Sequence, residues 1–186
     1  MKKLIIIFNI IFCSICYSQV IIGDAIGTAP SNNKTSVLLE FANSNNKGLL
    51  LPTVRTKPIN PSEGTIILDG SINATSARIK YYNGVSGDGW VDLSGMDGNA
   101  SEILNNQPTT SSVTEEPNAK AIIGATSSNA DGVLVLESSN KAMVLPIVSD
   151  VNNIPNPSAG MMVFVNKTGA KRLAVFNGSV WSFWKP

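Results

Sequence analysis

The chain has 186 residues with 14 basic and 13 acidic side chains, no histidine, and two cysteines confined to its apolar N-terminus, Cys13 and Cys16. Residues 1–18 read as a secretory signal, and without Lys2 and Lys3 the remaining 12 basic residues face 13 acidic ones, a net charge of −1. A mature chain with neither Cys nor His excludes a thiolate nucleophile, a disulfide, an imidazole base and a Cys/His zinc site, and its singly spaced Lys and Arg do not form a nucleic-acid face.

In the signal, Lys2 and Lys3 give the positive start, Leu4 to Ile15 the apolar run, and Cys16-Tyr17-Ser18 the cleavage site before Gln19. The run is shorter than the roughly 20 apolar residues of a membrane helix, so no membrane span is expected after signal removal. Phe12 and Ile15 precede the two cysteines where lipid attachment needs a small residue, which sets a lipoprotein anchor aside.

The mature chain repeats itself. Lys47-Gly48-Leu49-Leu50-Leu51-Pro52, Asn60-Pro61-Ser62-Glu63-Gly64, Arg78, Tyr82-Asn83-Gly84 and Trp90 recur in the same order as Lys141-Ala142-Met143-Val144-Leu145-Pro146, Asn156-Pro157-Ser158-Ala159-Gly160, Arg172, Phe176-Asn177-Gly178 and Trp181. Matched positions lie about 91 to 96 residues apart, the drift expected of duplicated units whose loops change length. The expected fold is therefore all-β with little helix: two tandem small β modules of short antiparallel strands and hairpins, residues 19–94 and 121–186, joined by a flexible polar linker, residues 95–120. Modules of about 70 residues bury a modest share of their surface and need support from each other or from other chains.

Val20-Ile21-Ile22-Gly23 and its echo Ala121-Ile122-Ile123-Gly124 open the two modules. Ser36 to Phe41 and Gly132 to Glu137 are apolar strands, each expected to form a hairpin with Leu49 to Leu51 or Met143 to Leu145 and to stop at Pro52 or Pro146, which lack an amide hydrogen. Ser149 to Ile154 has a capping residue and predicts one helical turn, whereas Pro58 keeps the first copy extended. Each Asn-Pro-Ser-x-Gly is a turn with a positive dihedral at glycine, and it launches a strand read as buried on both faces, Thr65 to Leu68 and Met161 to Val165. Arg78 to Tyr82 and Lys171 to Phe176 alternate as half-buried strands leading into hairpin turns at Asn83-Gly84 and Asn177-Gly178. Between the modules only Ile103-Leu104 pairs large apolar residues.

The order of these residues resembles a repeat of secreted and cell-surface proteins of Bacteroidetes, also found in phage tail-fibre-like proteins. The resemblance implies a β-rich fibre shoulder or collar segment, usually of unknown activity, and a homo-oligomer, a trimer, as its assembly; no catalytic residue and no cofactor is expected. The chain departs from that repeat in lacking, in the first copy, the longer helical segment with Arg and Ala that follows the proline strand.

Candidate chemistry is sparse. Asp97-Gly98-Asn99 with Glu102 offers oxygens for Ca²⁺ but not the alternating acidic ligands of a calcium loop, so a plain loop is the reading and no metal is expected. Asp88 and Asp92 with Glu63 or Asp69 would be needed as a glycosidase pair, but the second copy lacks the first two, so they read as turn carboxylates. Gly84, Gly87 and Gly89 lack phosphate-loop spacing and read as turn residues. Trp90 and Trp181 occupy matched places and are expected to plug the core rather than form a sugar platform. Phe183 and Trp184, adjacent in the last strand, cannot both face one side, and with Tyr81 and Tyr82 they form the expected interaction surface. The expected function is a non-enzymatic secreted structural or interaction protein, a self-associating fibre-like or surface-assembly component in the periplasm, on the outer surface or outside the cell. The alternative is a carbohydrate-binding adhesin module, with a surface protein or glycan as partner.

Overall fold

A computed structural model of the chain describes residues 19–85, 87–109, 111–114, 116 and 119–184, so the expected signal lies outside the described residues. The first module begins with β1 (Val20–Ile22), a 3-10 turn (Ser31–Ser36) and β2 (Val37–Phe41), then β3 (Leu49–Leu50) and β4 (Thr53–Val54). It continues through β5 (Ile66–Asp69), β6 (Arg78–Tyr82) and β7 (Trp90–Asp92). A short helix, α1 (Ser101–Asn106), leads to the second module: β8 (Ala121–Ile123), β9 (Leu134–Leu136), β10 (Ala142–Met143), β11 (Ile147–Val148), β12 (Met161–Val165), β13 (Arg172–Phe176) and β14 (Trp181–Trp184). The fold is all-β with little helix.

Each module contains the same four-stranded run, β4-β5-β6-β7 and β11-β12-β13-β14. The first pair in each run is parallel and the next two are antiparallel. The turn before the central strand explains the parallel crossover: Asn60 and Asn156 have φ of 54° and 51°, and Gly64 and Gly160 have φ of 87° and 86°. Glycine takes that left-handed backbone freely and asparagine tolerates it, so the chain reverses and re-enters beside the strand it just left. Opposite the glycine the hairpins form as expected, but Asn83 and Asn177 are not left-handed. Their side-chain oxygens instead accept backbone N–H groups, Val85 N–H for Asn83 and Ser179 and Val180 N–H for Asn177. The turn expected near Ser149 is a 3-10 turn over Val151–Asn153, with the Asp150 carboxylate accepting from Asn152 N–H.

The expected hairpins of β2 with β3 and of β9 with β10 do not form. β2 instead lies parallel to β1, and β9 parallel to β8. A strand of two residues, such as β3 or β10, carries too few ladder bonds to hold a tight hairpin and is free to pair elsewhere. The first part of the segment expected as a flexible linker packs onto the fold: Ala77 and Gly98 form a bridge, and Ala100 and Leu104 are 1% and 5% exposed. The Ile103-Leu104 pair carries the reason, since α1 turns Leu104 into the apolar cluster built from Leu51, Leu68, Ile79 and Leu93. That cluster also takes Ala159, Met162 and Val175 from the second module, so the two modules share one core. A second cluster, Val148, Ile154, Val163, Val165 and Ala174, belongs to the second module and packs against Trp181. β12 thus buries both faces, Met162 to one cluster and Val163 and Val165 to the other.

A carboxylate is buried in β2. Glu40 is wholly inaccessible, accepts Ala29 N–H at 2.7 Å, is paired with Lys34 Nζ at 3.0 Å and also receives the Gln19 amide. These bonds bind the loop between β1 and β2 to the strand. Burial pushes the Glu40 carboxyl up, but the Ala29 N–H and the Lys34 ammonium outweigh it and hold it below its ordinary value of 4.5. Asp69 and Asp92 behave alike: burial raises them, and Lys80 and Arg78 respectively bring them below the usual aspartate range. A group whose folded-state pKa is lowered contributes its full stability above the unfolded value and loses it as pH falls through the folded value. The melting temperature is therefore expected to stay level from about pH 7 to about pH 5 and to fall below that. Glu40→Gln should melt lower than the parent at neutral pH and lose less on acidification; a parent midpoint that does not change down to about pH 3 would contradict the assignment.

Candidate assembly interface

The described residues place no catalytic set together. Asp69 is held by Lys80 at 2.8 Å, Asp92 by Arg78 at 2.5 Å and Asp88 by Lys57 at 2.5 Å, so these three of the four candidate carboxylates, Glu63 aside, each neutralise a neighbouring cation. Asp97 accepts from Arg78 at 2.8 Å, and Asn99 accepts Ser101 N–H at the start of α1. Among the described residues no three acidic, His or Cys side chains converge on a point that could hold a metal ion.

The aromatic residues are spread over two hairpins. Tyr82 and Trp90 meet with ring centroids 5.3 Å apart, and Phe176 and Trp181 with centroids 5.2 Å apart, both tilted. Trp90 and Trp181 are half-buried against these cross-strand rings, and Tyr81 packs against the shared core. Phe183 and Trp184 are 42% and 46% exposed. The Arg172 guanidinium lies 4.4 Å over the Phe183 ring, and Trp184 Nε1–H donates to Leu93 O at 2.6 Å. Of the expected interaction surface, Phe183 and Trp184 therefore stand together at the end of the second module, while Tyr81 and Tyr82 lie on β6 of the first.

The feature that organises the molecule is pairing between the modules. β10 of the second module runs parallel to β2 of the first, with Ala142 beside Val37 and Met143 beside Leu39, and Val144 N–H donates to Leu39 O at 2.8 Å. In the other direction β3 of the first module runs antiparallel to β12, with Leu50 beside Met161 and Leu49 beside Met162, and Leu51 N–H donates to Gly160 O at 3.0 Å. Backbone pairing of this kind places each short Lys-x-x-x-Leu-Pro strand in the other module's sheet, which neither strand's sequence could announce because two residues have no periodicity.

A third contact locks the C-terminal hairpin to the segment after β7. Asn177 is wholly buried and its Nδ2 donates to Met96 O at 2.9 Å, while the Ser182 hydroxyl donates to Ser94 O. The backbones approach so closely that a Cβ on Gly98 would sit 1.9 Å from Asn177 O, and one on Gly178 would sit 2.1 Å from Asn99 O. The sequence marked Asn177-Gly178 as a turn; its second role, as a cross-module contact, followed from the buried site and had no local signal. Glu40 did have one, an acidic residue interrupting the run Val37-Leu38-Leu39-Glu40-Phe41.

Asn177→Ala removes a wholly buried side chain that serves both its own turn and Met96 O, and should cost about 1–3 kcal/mol in denaturant unfolding. Asn83→Ala, at the half-buried matched turn with one N–H to satisfy, should cost under about 1 kcal/mol. Equal losses at the two turns would contradict the cross-module role of Asn177.

Among the described residues no helix is long and apolar enough to cross a membrane. A family model described as phage tail like trimerisation region matches residues 25–112 and again residues 103–185. No curated protein and no solved structure matches the chain. The two matches span most of both modules and overlap over residues 103–112, and the chain belongs to the phage tail-like trimerisation region family, present in it as two tandem copies.

Proposed function

We propose that this protein is a secreted, non-catalytic structural component that self-associates as a trimer and serves as a fibre-like or surface-assembly part. The observation that carries the reading is the state of the strand edges. The two modules have the same four-stranded run, yet among the described residues β12 has a fifth strand beside it and β5 does not, and β2 has a strand on the edge away from β1 while β9 pairs with β8 alone. On β9 the corresponding edge has Leu134 exposed, with Val133 exposed beside it, and on β5 no strand lies beside Ile66 on the corresponding edge among the described residues; a protein that must hide such edges does so by pairing them. The likeness to secreted and cell-surface repeats of Bacteroidetes, together with the N-terminal run of Lys2, Lys3 and apolar residues, supports export to the periplasm, outer surface or medium.

A second reading is favoured by a shallow groove lined by Asp150, Asn152, Lys167, Arg172, Trp181 and Phe183. It joins aromatic faces to polar donors and acceptors, the combination that holds a sugar ring, and makes a glycan or a surface protein the partner at the Phe183 and Trp184 end, with Tyr81 and Tyr82 as an outlying part of that surface.

Light scattering on the eluting peak of the chain from Gln19 to Pro186 decides the first reading. Three chain masses are expected; a peak of one chain mass at all concentrations would contradict the trimer and turn attention to the groove.

A further inference from the structure

The contact between the modules has two ends. On the first module it uses the outer edge of β2 and one edge of β3; on the second it uses β10 and the N-terminal half of the β12 edge. Each module carries all four elements, so the repeat makes the contact available twice. Matching the parallel registers places Val37 with Gly132 and Leu39 with Leu134, because Val20 sits beside Leu39 and Ala121 beside Leu134. Matching β4-β5 with β11-β12 places Thr65 with Met161 and Ile66 with Met162.

The unused half of the contact is then defined residue by residue. Among the described residues β9 pairs only with β8, while its counterpart β2 holds a strand on each side. Of the matched residues, Leu39 is fully buried beside Met143, whereas Leu134 is 43% exposed, with Val133 exposed beside it. β5 has β4 along only the Leu68 and Asp69 part of its edge, and β10 pairs with β2 on one side only. Leu50, on β3, is 52% exposed. Leu134 is thus exposed where its matched Leu39 is covered by β10 of the other module.

Resting on the self-associating reading above, we infer that the second module of one copy binds the first module of the next copy through the same contact that joins the two modules within a chain. β3 of the next copy lies parallel to β9, with its Leu49 beside Leu134 and its Leu50 N–H donating to Leu134 O. β10 lies antiparallel to β5 of the next copy, with Met143 beside Ile66 and Val144 beside Thr65. Such a head-to-tail contact closes into a ring or runs on as a filament. In a trimer the ring alternates first and second modules, and the free edges of β3, β5, β9 and β10 in one chain are covered by another.

Cysteine pairs test the register, in a mature chain that has no cysteine of its own. Neighbouring strands bring Cα atoms within disulfide reach, about 4.4–6.8 Å. The within-chain control is Leu39→Cys with Met143→Cys, which should oxidise to a species that runs as one chain under denaturing, non-reducing conditions. Leu49→Cys with Leu134→Cys should oxidise to covalent multimers ending at three chains. Leu39→Cys with Leu49→Cys would link only if first modules bind first modules, so multimers from that pair would overturn the alternation. A trimer by light scattering in which Leu49→Cys with Leu134→Cys stays unlinked would also overturn it while leaving the trimer intact. A monomeric parent would remove both readings.

A variant independent of cysteine chemistry is Leu134→Lys, which charges an edge that is already exposed in the single chain. Its circular dichroism should match the parent while association weakens at least tenfold. An unchanged association with an unchanged fold would contradict the proposed edge.

Discussion

Backbone N–H and C=O groups along a strand edge need partners, and in this chain the edges of β2 and β12 receive theirs from the other module. The rest of the structure depends on that exchange. β3 and β10 are two residues each, too short to stand alone, and each becomes ordered only as an added strand in a sheet that starts elsewhere in the chain. The shared apolar cluster follows from the same geometry. Once Leu49 and Leu50 lie beside Met162 and Met161, Leu51 is delivered to the cluster that Met162 and Val175 enter from the other side. Neither module has this cluster complete, and a module of such size has little apolar area to spare.

Electrostatics serve the same end. With no cysteine among the described residues, the chain uses buried or half-buried carboxylates as ties: Glu40 draws the β1-β2 loop onto its strand, Asp69 meets Lys80 across β5 and β6, and Asp92 meets Arg78 across β6 and β7. Breaking one partner of a buried pair leaves the other charge uncompensated and costs more than the pair is worth when intact. At the position matched to Glu40 the second module has Val135, also buried, so the same strand is fastened by an ion pair in one copy and by apolar packing in the other. A duplicated framework thus tolerates two solutions at one site because the backbone pairing, not the side chain, sets the strand's place.

The turns were legible in the sequence because local chemistry demands particular residues there. Gly64 and Gly160 occupy positive φ as their Asn-Pro-Ser-x-Gly setting implied, although the asparagines share that conformation, which the proline immediately after each did not reveal. The long strands β5, β6, β12 and β13 were legible from their apolar runs and alternation, and so were the hairpins that follow β6 and β13. What could not be read was partner choice. Nothing in Leu49-Leu50 or Ala142-Met143 names the other module as its sheet, since parallel and cross-module pairing depend on contacts distant in sequence. In the 95–120 segment the polar average concealed that Ala100, Ile103 and Leu104 seat a short helix against the core. The terminal aromatics were visible as a pair that could not face one way; that Trp184 reaches back to Leu93 O was not.

The account stands on two amides, Val144 N–H bonded to Leu39 O and Leu51 N–H bonded to Gly160 O, because both join the modules and neither belongs to a hairpin. Amide hydrogen exchange in a sample diluted until light scattering reads one chain isolates them from any contact between copies. Interlocked modules predict that both amides exchange as slowly as Leu68 N–H and Phe164 N–H, which are bonded within their own modules to Pro52 O and Pro146 O. Exchange of Val144 and Leu51 at the rate of an unbonded loop, with Leu68 and Phe164 still protected, would show two modules that fold separately and would contradict the account.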